Sequence, residues 1–448
     1  MLKKSANNFA ARWDGYAVFA PALQKSYAEF TLKPKRQVRA GKTPGGLSPR
    51  DLDFLSAKSA LWHHPYALFS AGHYSSSVIK PTNAVSARNT SQTTIIGDSG
   101  GYQIGTGALK EIKGWGKVRK PEKIMDLWRD ASAREWIVRW LNAYCDYSMT
   151  IDIPLWAKTN PKADDSPFRH LSFEQDIELT YESLKYIDDD RGRLGRKTKW
   201  LNVLHGLNSH QGTEAAWYAR VKEFDFEGWA FASDTGVQGG IVNLLRRLKR
   251  MQEDQQLDNK EWLHFLGLSR IKSAVILTAI QRSLRQSCSP DIQISYDSAS
   301  ASLNAGKAEM ADVPKDFSSD ESTWTFSTER FPNSEAIAQS TEIVPFPYQS
   351  SPLAGYVSVN DMNYQAGIQH RNKFDTLSYQ LLINHNLYVR VQRLVEANDL
   401  VFDPTMQAHH LVPPRVLDAV DVVERVLVAE QWDTLLSANA DLLDSVGR

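Results

Sequence analysis

The chain has 448 residues, enough for one large domain with appendages or for two to three ordinary domains. Its formal net charge of zero excludes a surface that is basic throughout. Two cysteines, Cys145 and Cys288, are too few for a disulfide framework, and no run approaches the ~20 apolar residues of a membrane span. The segment 1–8 lacks the apolar stretch of a signal peptide. We therefore expect a soluble, cytoplasmic protein.

The first 65 residues are predicted to be an N-terminal extension, in which the segment 31–50 is a basic loop rich in Gly and Pro. From residue 66 to residue 310 short apolar runs alternate with amphipathic stretches, the pattern of a parallel sheet covered by helices. The apolar runs predict strands at 66–70, 93–97, 147–153, 200–204, 228–232, 263–268 and 292–296. The stretches between them predict helices at 121–142, 172–187, 212–224, 241–255 and 273–286.

Seven strands, with an eighth before or after them, favour an α/β fold of the (β/α)8 or TIM-like barrel type over an open doubly wound sheet. No Gly-x-Gly-x-x-Gly follows the first strand, so nothing indicates a dinucleotide site. Residues 311–355 predict a loop-rich insertion. Residues 356–448 predict a closing barrel helix at 376–397 and one or two C-terminal helices at 414–446.

Polar residues recur where the predicted strands end. In a barrel these carboxyl ends share one face, and sites are built there. A single polar residue at such a place is most simply a helix N-cap, but a series of them predicts a functional site. The main candidates are Asp98, Asp152, His205, Ser233 and Asp297.

Two of these candidates suggest a reaction. A pair of carboxylates can break a glycosidic bond when one attacks the anomeric carbon and the other moves protons. Asp98 and Asp297 suit these roles, although both could instead be N-caps. Gly100 and Gly101 follow Asp98 and would leave room for a planar ligand against the backbone.

The hexapeptide Asp98-Ser99-Gly100-Gly101-Tyr102-Gln103 resembles the motif of the queuine and archaeosine tRNA-guanine transglycosylases, which exchange guanine in nucleic acid for a 7-deazaguanine. The resemblance extends over roughly residues 66–397. It implies that Asp98 transfers protons and that Asp297 is the nucleophile. It further implies a base-binding set in which Tyr102 stacks on the purine, Gln103 reads its edge, and Asp152 accepts from N1–H and the exocyclic amine, completed by Ser99, Gly100, Gly101, His205, Gly206 and Ser233.

The chain also departs from that family. His385 matches the family's histidine helix, but no cysteine follows Cys288, so the family's zinc site of three cysteines and a histidine cannot form. We therefore expect neither a metal nor another cofactor. Gln238 stands near the position of a glutamate that reads an ammonium group in bacterial members, and a neutral amide suits a nitrile or amide better.

These departures resemble the DNA-modifying branch of the superfamily, the 7-deazaguanine DNA transglycosylases of phages and bacteria. The expected partners are DNA with a target guanine and a free, preQ0-like 7-deazaguanine base, with possible helper proteins or a homodimer and no membrane. The expected location is the cytoplasm of a bacterial or phage-infected cell. Clustered basic residues predict contacts to the nucleic-acid backbone by Arg36, Arg196, Arg246 and Arg247.

Three alternatives stay open. The chain could be a divergent tRNA-guanine transglycosylase, or a non-catalytic paralogue that binds nucleic acid or a partner subunit. A carbohydrate-active barrel is the third, which Asp152 and the hexapeptide disfavour.

Overall fold

The computed structural model describes residues 8–32, 43–73, 83–109, 117–191, 197–206, 212–364 and 374–447. Its main sheet has eight parallel strands in the order β1-β8-β7-β6-β5-β4-β3-β2. Leu68 N–H donates to Pro21 O at 3.0 Å and Leu23 N–H donates to Leu68 O at 2.9 Å, so that β2 pairs with the residues after β1 and the sheet closes. The predicted TIM-like barrel is confirmed. Its strands are β1 (Val18–Phe19), β2 (Tyr66–Ser70), β3 (Thr94–Asp98), β4 (Tyr147–Met149), β5 (Lys199–Leu204), β6 (Gly228–Phe231), β7 (Trp262–Phe265) and β8 (Gln293–Tyr296).

All seven predicted strands are present, most with ends within one or two residues of the prediction. The runs 147–153 and 263–268 are the exceptions, because only the first part of the former pairs as β4 and because β7 ends at Phe265. The eighth strand, β1, precedes the others and lies within the segment assigned to the N-terminal extension. It has only two residues, which is too short to show an apolar run in the sequence.

Helices cover the barrel and continue beyond it. Two predictions are corrected: the stretch 121–142 forms two helices separated at 131–132, and the segment 414–446 forms three helices rather than one or two. No helix in the described ranges is both long enough and apolar enough to cross a membrane. The helices are α1 (Lys25–Leu32), α2 (Gly101–Gly105), α3 (Pro121–Asp130), α4 (Ala133–Tyr144), α5 (Phe173–Asp190), α6 (Thr213–Val221), α7 (Ile241–Glu253), α8 (Ile271–Ser287), α9 (Ser300–Ala308), α10 (Glu335–Gln339), α11 (Val359–Met362), α12 (Thr376–Phe402), α13 (Pro414–Val428), α14 (Trp432–Ala438) and α15 (Ala440–Gly447).

The interior of the barrel is packed with side chains. Tyr147 on β4 stacks on Trp262 on β7 with ring centroids 4.3 Å apart, although the two strands are not neighbours. The two rings therefore meet across the interior. Because side chains alternate along a strand, the residues two and four positions after Trp262 also face the barrel interior, as its ring does. They lie nearer than Trp262 to the carboxyl ends of the strands.

The segment 311–355 contains more regular structure than the loop-rich insertion that we predict. Strands β9 (Met310–Val313) and β10 (Ser327–Arg330) form an antiparallel pair. Asp312 on β9 forms a bidentate ion pair with Arg390 on α12, with N–O distances of 2.6 and 2.9 Å, and both side chains are buried. This ion pair ties the insertion to the long helix that closes the molecule.

We expect Arg390→Ala to cost about 3–5 kcal/mol of unfolding free energy, because it leaves the Asp312 carboxylate buried without its cation. Arg425 offers a matched control: it pairs with Asp421 four residues earlier on the solvent side of α13, where an ion pair contributes about 0.5 kcal/mol or less. Urea denaturation of Arg390→Ala and Arg425→Ala checks this difference, and equal losses of unfolding free energy would contradict it.

Candidate active site at the carboxyl ends of the barrel strands

Asp98 ends β3 and lies beside Ser70, its register partner at the end of β2. Burial raises the pKa of the Asp98 carboxyl above its ordinary value, and the negative charges of Asp152 and Asp297 raise this pKa further. Hydrogen bonds from the Ser70 side chain and from Gly100 N–H, the latter at 3.1 Å, act in the opposite direction. The raised pKa favours a protonated Asp98, the form that a proton donor needs. The effect of both charges on Asp98, together with the place of the three residues at the carboxyl ends of β3, β4 and β8, puts the three predicted aspartates at one rim.

The glycines after Asp98 shape this part of the rim. Gly100 has a φ of 99°, and a Cβ atom there would lie 2.9 Å from Gly72 Cα. A Cβ at Gly101 would meet nothing within 4 Å. Gly100 is therefore required by the backbone, while the surface beside Gly101 is open, as the prediction of a planar ligand requires.

Ser99 lies in the loop after β3, and Gln103 lies in helix α2, which begins two residues later. Ser99 Oγ and Gln103 Oε1 are buried and have no hydrogen-bond partner within the described parts of the chain. Unpaired buried polar atoms cost free energy unless a ligand or water satisfies them. Their position is consistent with the predicted base-binding role.

Tyr102 is 57% exposed at the start of α2. Its ring stacks on Trp156, with centroids 5.8 Å apart and planes 20° apart. The exposed ring area can stack on a base. Trp156 was not among the predicted residues, although its aromatic side chain four positions after Asp152 was a usable signal.

Asp152 and His205 form a pair that the sequence did not indicate. His205 Nε2 and Asp152 Oδ2 are 2.6 Å apart, and both side chains are buried. The ring of His205 also meets Trp217 edge to face at 5.0 Å. One oxygen of Asp152 is thus already hydrogen-bonded, which leaves Oδ1 as the open acceptor for a base. His205 Nδ1 is buried without a partner among the residues described.

Asp297 follows β8 and is 8% exposed. Its Oδ1 accepts a hydrogen bond from Gly267 N–H at 2.9 Å and lies 3.3 Å from His264 Nε2. No donor from the described segments contacts Oδ2. The carboxylate is therefore held through one oxygen, and the other remains available for attack.

The two remaining base-site candidates also lie at strand ends. Gly206 follows β5 and is buried, and a Cβ there would come within 2.7 Å of Glu214 Cβ. Ser233 follows β6 with a φ of 55°, in the left-handed region that non-glycine residues seldom adopt. Such backbone strain is concentrated at functional sites.

Of the four arginines predicted to contact the nucleic-acid backbone, the structure describes two. Arg247 is buried in an ion pair with Glu214 and also donates to Thr235 O, so its charge is not available to a phosphate and this prediction is corrected. Arg246 is part-exposed on α7, 3.9 Å from Asp433. Arg36 and Arg196 lie outside the described residues.

His385 does not fit a zinc site. Its Nε2 lies 3.0 Å from Asp312 O and its Nδ1 lies 3.0 Å from Ser351 Oγ, so both ring nitrogens are engaged. Burial lowers the pKa of the ring to about 4, and Tyr348 stacks on it at 4.6 Å. Among the residues that the structure describes, no group of three or more His, Cys, Asp or Glu is placed to hold a metal ion.

We expect Gly100→Ala to destabilise the protein by about 1–3 kcal/mol, because alanine is strained at this φ and its methyl group would press on Gly72. Gly101→Ala is the matched variant. It should leave the stability unchanged while weakening binding of a free guanine or 7-deazaguanine base, because its methyl group enters the open surface. Urea denaturation and calorimetry of base binding check the two effects; unchanged binding by Gly101→Ala would contradict the placement of the base.

Asp98→Asn should make the protein more stable than wild type at pH 7, by an amount that grows as the pH rises from the ordinary carboxyl pKa. The folded protein holds the Asp98 proton more tightly than the unfolded chain, so wild type loses stability between the ordinary and the raised pKa, and the amide does not. Thermal unfolding at several pH values measures this difference.

The control for that series is Asp291→Asn, at an exposed aspartate just before β8. It should show no such growing gain. A wild type that is more stable than Asp98→Asn throughout the pH range would contradict the assigned environment of Asp98.

No protein-family model matches the chain, and no curated protein matches it.

Proposed function

We propose that this chain is a nucleic-acid guanine transglycosylase that exchanges guanine in DNA for a preQ0-like 7-deazaguanine base. The observation that carries the proposal is the meeting of Asp98, Asp152 and Asp297 at one rim, with Asp98 favoured in its protonated form and Asp297 held through a single oxygen. Gly101, where a Cβ atom would meet nothing within 4 Å, follows Asp98 by three residues.

In the first half of the reaction Asp297 Oδ2 attacks C1′ of the target nucleotide. The bond between C1′ and N9 breaks, its electron pair leaves with the guanine, and Asp98 gives that base a proton. The product is an ester between Asp297 and C1′, which is the covalent intermediate of a retaining reaction.

In the second half the incoming base loses its N9 proton to Asp98 and attacks C1′. The ester bond breaks and its electron pair returns to Asp297. Asp98 and Asp297 thus regain their starting protonation states, so the exchange needs no cofactor. The role of proton donor suits Asp98, whose pKa is raised, and the role of nucleophile suits Asp297, which is held through Oδ1 alone.

Recognition of the base fits the groups around the carboxylates. Asp152 Oδ1 can accept from the N1–H or the exocyclic amine of guanine, while Oδ2 is hydrogen-bonded to His205. Ser99 Oγ and Gln103 Oε1 supply further unpaired polar atoms. Tyr102, backed by Trp156, offers a stacking surface.

One consideration supports DNA rather than tRNA as the substrate. The resemblance associates the zinc subdomain with tRNA positioning, and here His385 is held by Ser351 and Asp312 instead of by a metal. With either nucleic acid the barrel mouth requires a base that has left the stack, a step that costs a few kcal/mol and is smallest where pairing is weak.

The direct test incubates the protein with labelled preQ0 and, in separate reactions, double-stranded DNA, single-stranded DNA and tRNA. We expect label in DNA. Label in tRNA alone would support the divergent tRNA enzyme, and label in none of them would overturn the proposed exchange in favour of a non-catalytic role.

Asp297→Asn should abolish exchange, a loss of at least about 10³-fold, because an amide is not a nucleophile toward C1′. Its fold should persist, because the amide oxygen can still accept from Gly267 N–H. Asp291→Asn, the same change at an exposed site before the same strand, serves as the control and should retain wild-type exchange. Near-normal exchange by Asp297→Asn would refute the assignment.

A further inference from the structure

We propose that His264 is a positioning residue that presents an N–H group to Asp297 and thereby controls release of the nucleotide from that carboxylate. The inference rests on the proposed function, because it concerns the covalent intermediate described above. His264 lies on β7, inside the barrel, and its side chain is fully buried. A histidine in an otherwise apolar strand was the sequence signal that could have identified it.

A chain of hydrogen bonds fixes the proton on one nitrogen of His264. Trp262 Nε1 lies 2.6 Å from Ser295 Oγ, and the same Oγ lies 2.8 Å from His264 Nδ1. An indole N–H can only donate, so Ser295 accepts from Trp262, and within the described residues His264 Nδ1 is the only other partner that its own hydrogen can reach. Nδ1 is therefore an acceptor, and a neutral ring carries its hydrogen on Nε2.

That Nε2–H group faces Asp297. The distance from Nε2 to Asp297 Oδ1 is 3.3 Å, and within the described residues Nε2 makes no aligned hydrogen bond to any group. Hydrogen bonds of catalytic groups are often long or poorly aligned without substrate and tighten in the complex. Gly267 N–H already donates to the same oxygen at 2.9 Å.

Two N–H groups on Oδ1 favour the carboxylate over the ester. In the ester with C1′ the bond is to Oδ2, and Oδ1 becomes a carbonyl oxygen with less negative charge. When the incoming base attacks C1′, the electron pair of the C1′–Oδ2 bond returns to Asp297 and charge develops on Oδ1. The N–H of His264 stabilises this developing charge and so speeds the second half of the reaction.

Removing the donor should therefore slow turnover while increasing the trapped ester. We expect His264→Leu to lower turnover at least about tenfold and to raise the steady-state fraction of protein covalently bound to DNA. His264→Gln keeps an amide N–H within reach of Asp297 and should restore part of the turnover. Gel quantification of the adduct measures the fraction.

His64 provides a matched control for loss of a buried histidine. Its ring is equally buried, accepts from Trp13 Nε1 through Nδ1 at 3.1 Å, and lies 2.8 Å from Phe19 O through Nε2. As in His264, Nδ1 is an acceptor and Nε2 carries the hydrogen, but the Nε2–H of His64 faces a backbone carbonyl oxygen instead of a carboxylate. His64→Leu should lower stability and leave the adduct fraction as in wild type.

Nitrogen-15 NMR of histidine-labelled protein at pH 8 tests the tautomer without any assay of exchange. We expect the Nε2–H form for His264 in wild type. Ser295→Ala removes the hydroxyl that donates to Nδ1 and should change the Nδ1 signal. Because this substitution is small, it also serves if His264→Leu does not fold. Ser295→Ala should also lower turnover.

The possible failures are distinguishable. If wild type exchanges no base, the proposed function is overturned while the NMR measurement still decides the geometry of His264. If wild type exchanges bases and His264→Leu matches it in turnover and adduct fraction, or if His264 carries its proton on Nδ1, the role of His264 is overturned and the proposed function stands.

Discussion

The barrel holds three carboxylates at one rim, and the arrangement of the site follows from the free-energy cost of placing them there. Parallel strands end on the same face of the barrel, so Asp98 lies close enough to Asp152 and Asp297 for their charges to raise its pKa. The three carboxyl groups lie in different environments. Burial raises the pKa of Asp98, Asp152 is hydrogen-bonded to His205, and Asp297 accepts a hydrogen bond from Gly267 N–H. Carboxyl groups whose environments differ in this way are suited to different roles in one reaction.

The structure outside the barrel supports this rim. Arg390 on α12 binds Asp312 in the insertion and lies 3.3 Å from Ser269 Oγ in the loop after β7. The same loop contains Gly267, whose N–H holds Asp297. The long helix is thus connected to the loop that holds Asp297 through the hydrogen bond between Arg390 and Ser269. His385, on the same helix, is fixed by hydrogen bonds to Ser351 and Asp312 and by stacking on Tyr348.

Sequence patterns predicted the barrel because apolar runs and strand ends are local properties. They located Asp98, Asp152 and Asp297 at one rim for the same reason. They predicted an eighth strand before or after the other seven but did not locate β1, which is defined by pairing with β8 rather than by its two residues. The pairing of Arg247 with Glu214 and the contact of His264 with Asp297 were also missed, because each depends on which side chains the fold brings together from distant positions.

The central claim is that Asp297 becomes covalently attached to DNA. Wild-type protein incubated with guanine-containing DNA without an incoming base, then denatured and digested with protease and nuclease, should give a peptide containing Asp297 that carries one nucleotide lacking its base. Mass spectrometry that places the added mass on another residue, or finds no such peptide while labelled base is incorporated into DNA, would contradict the account.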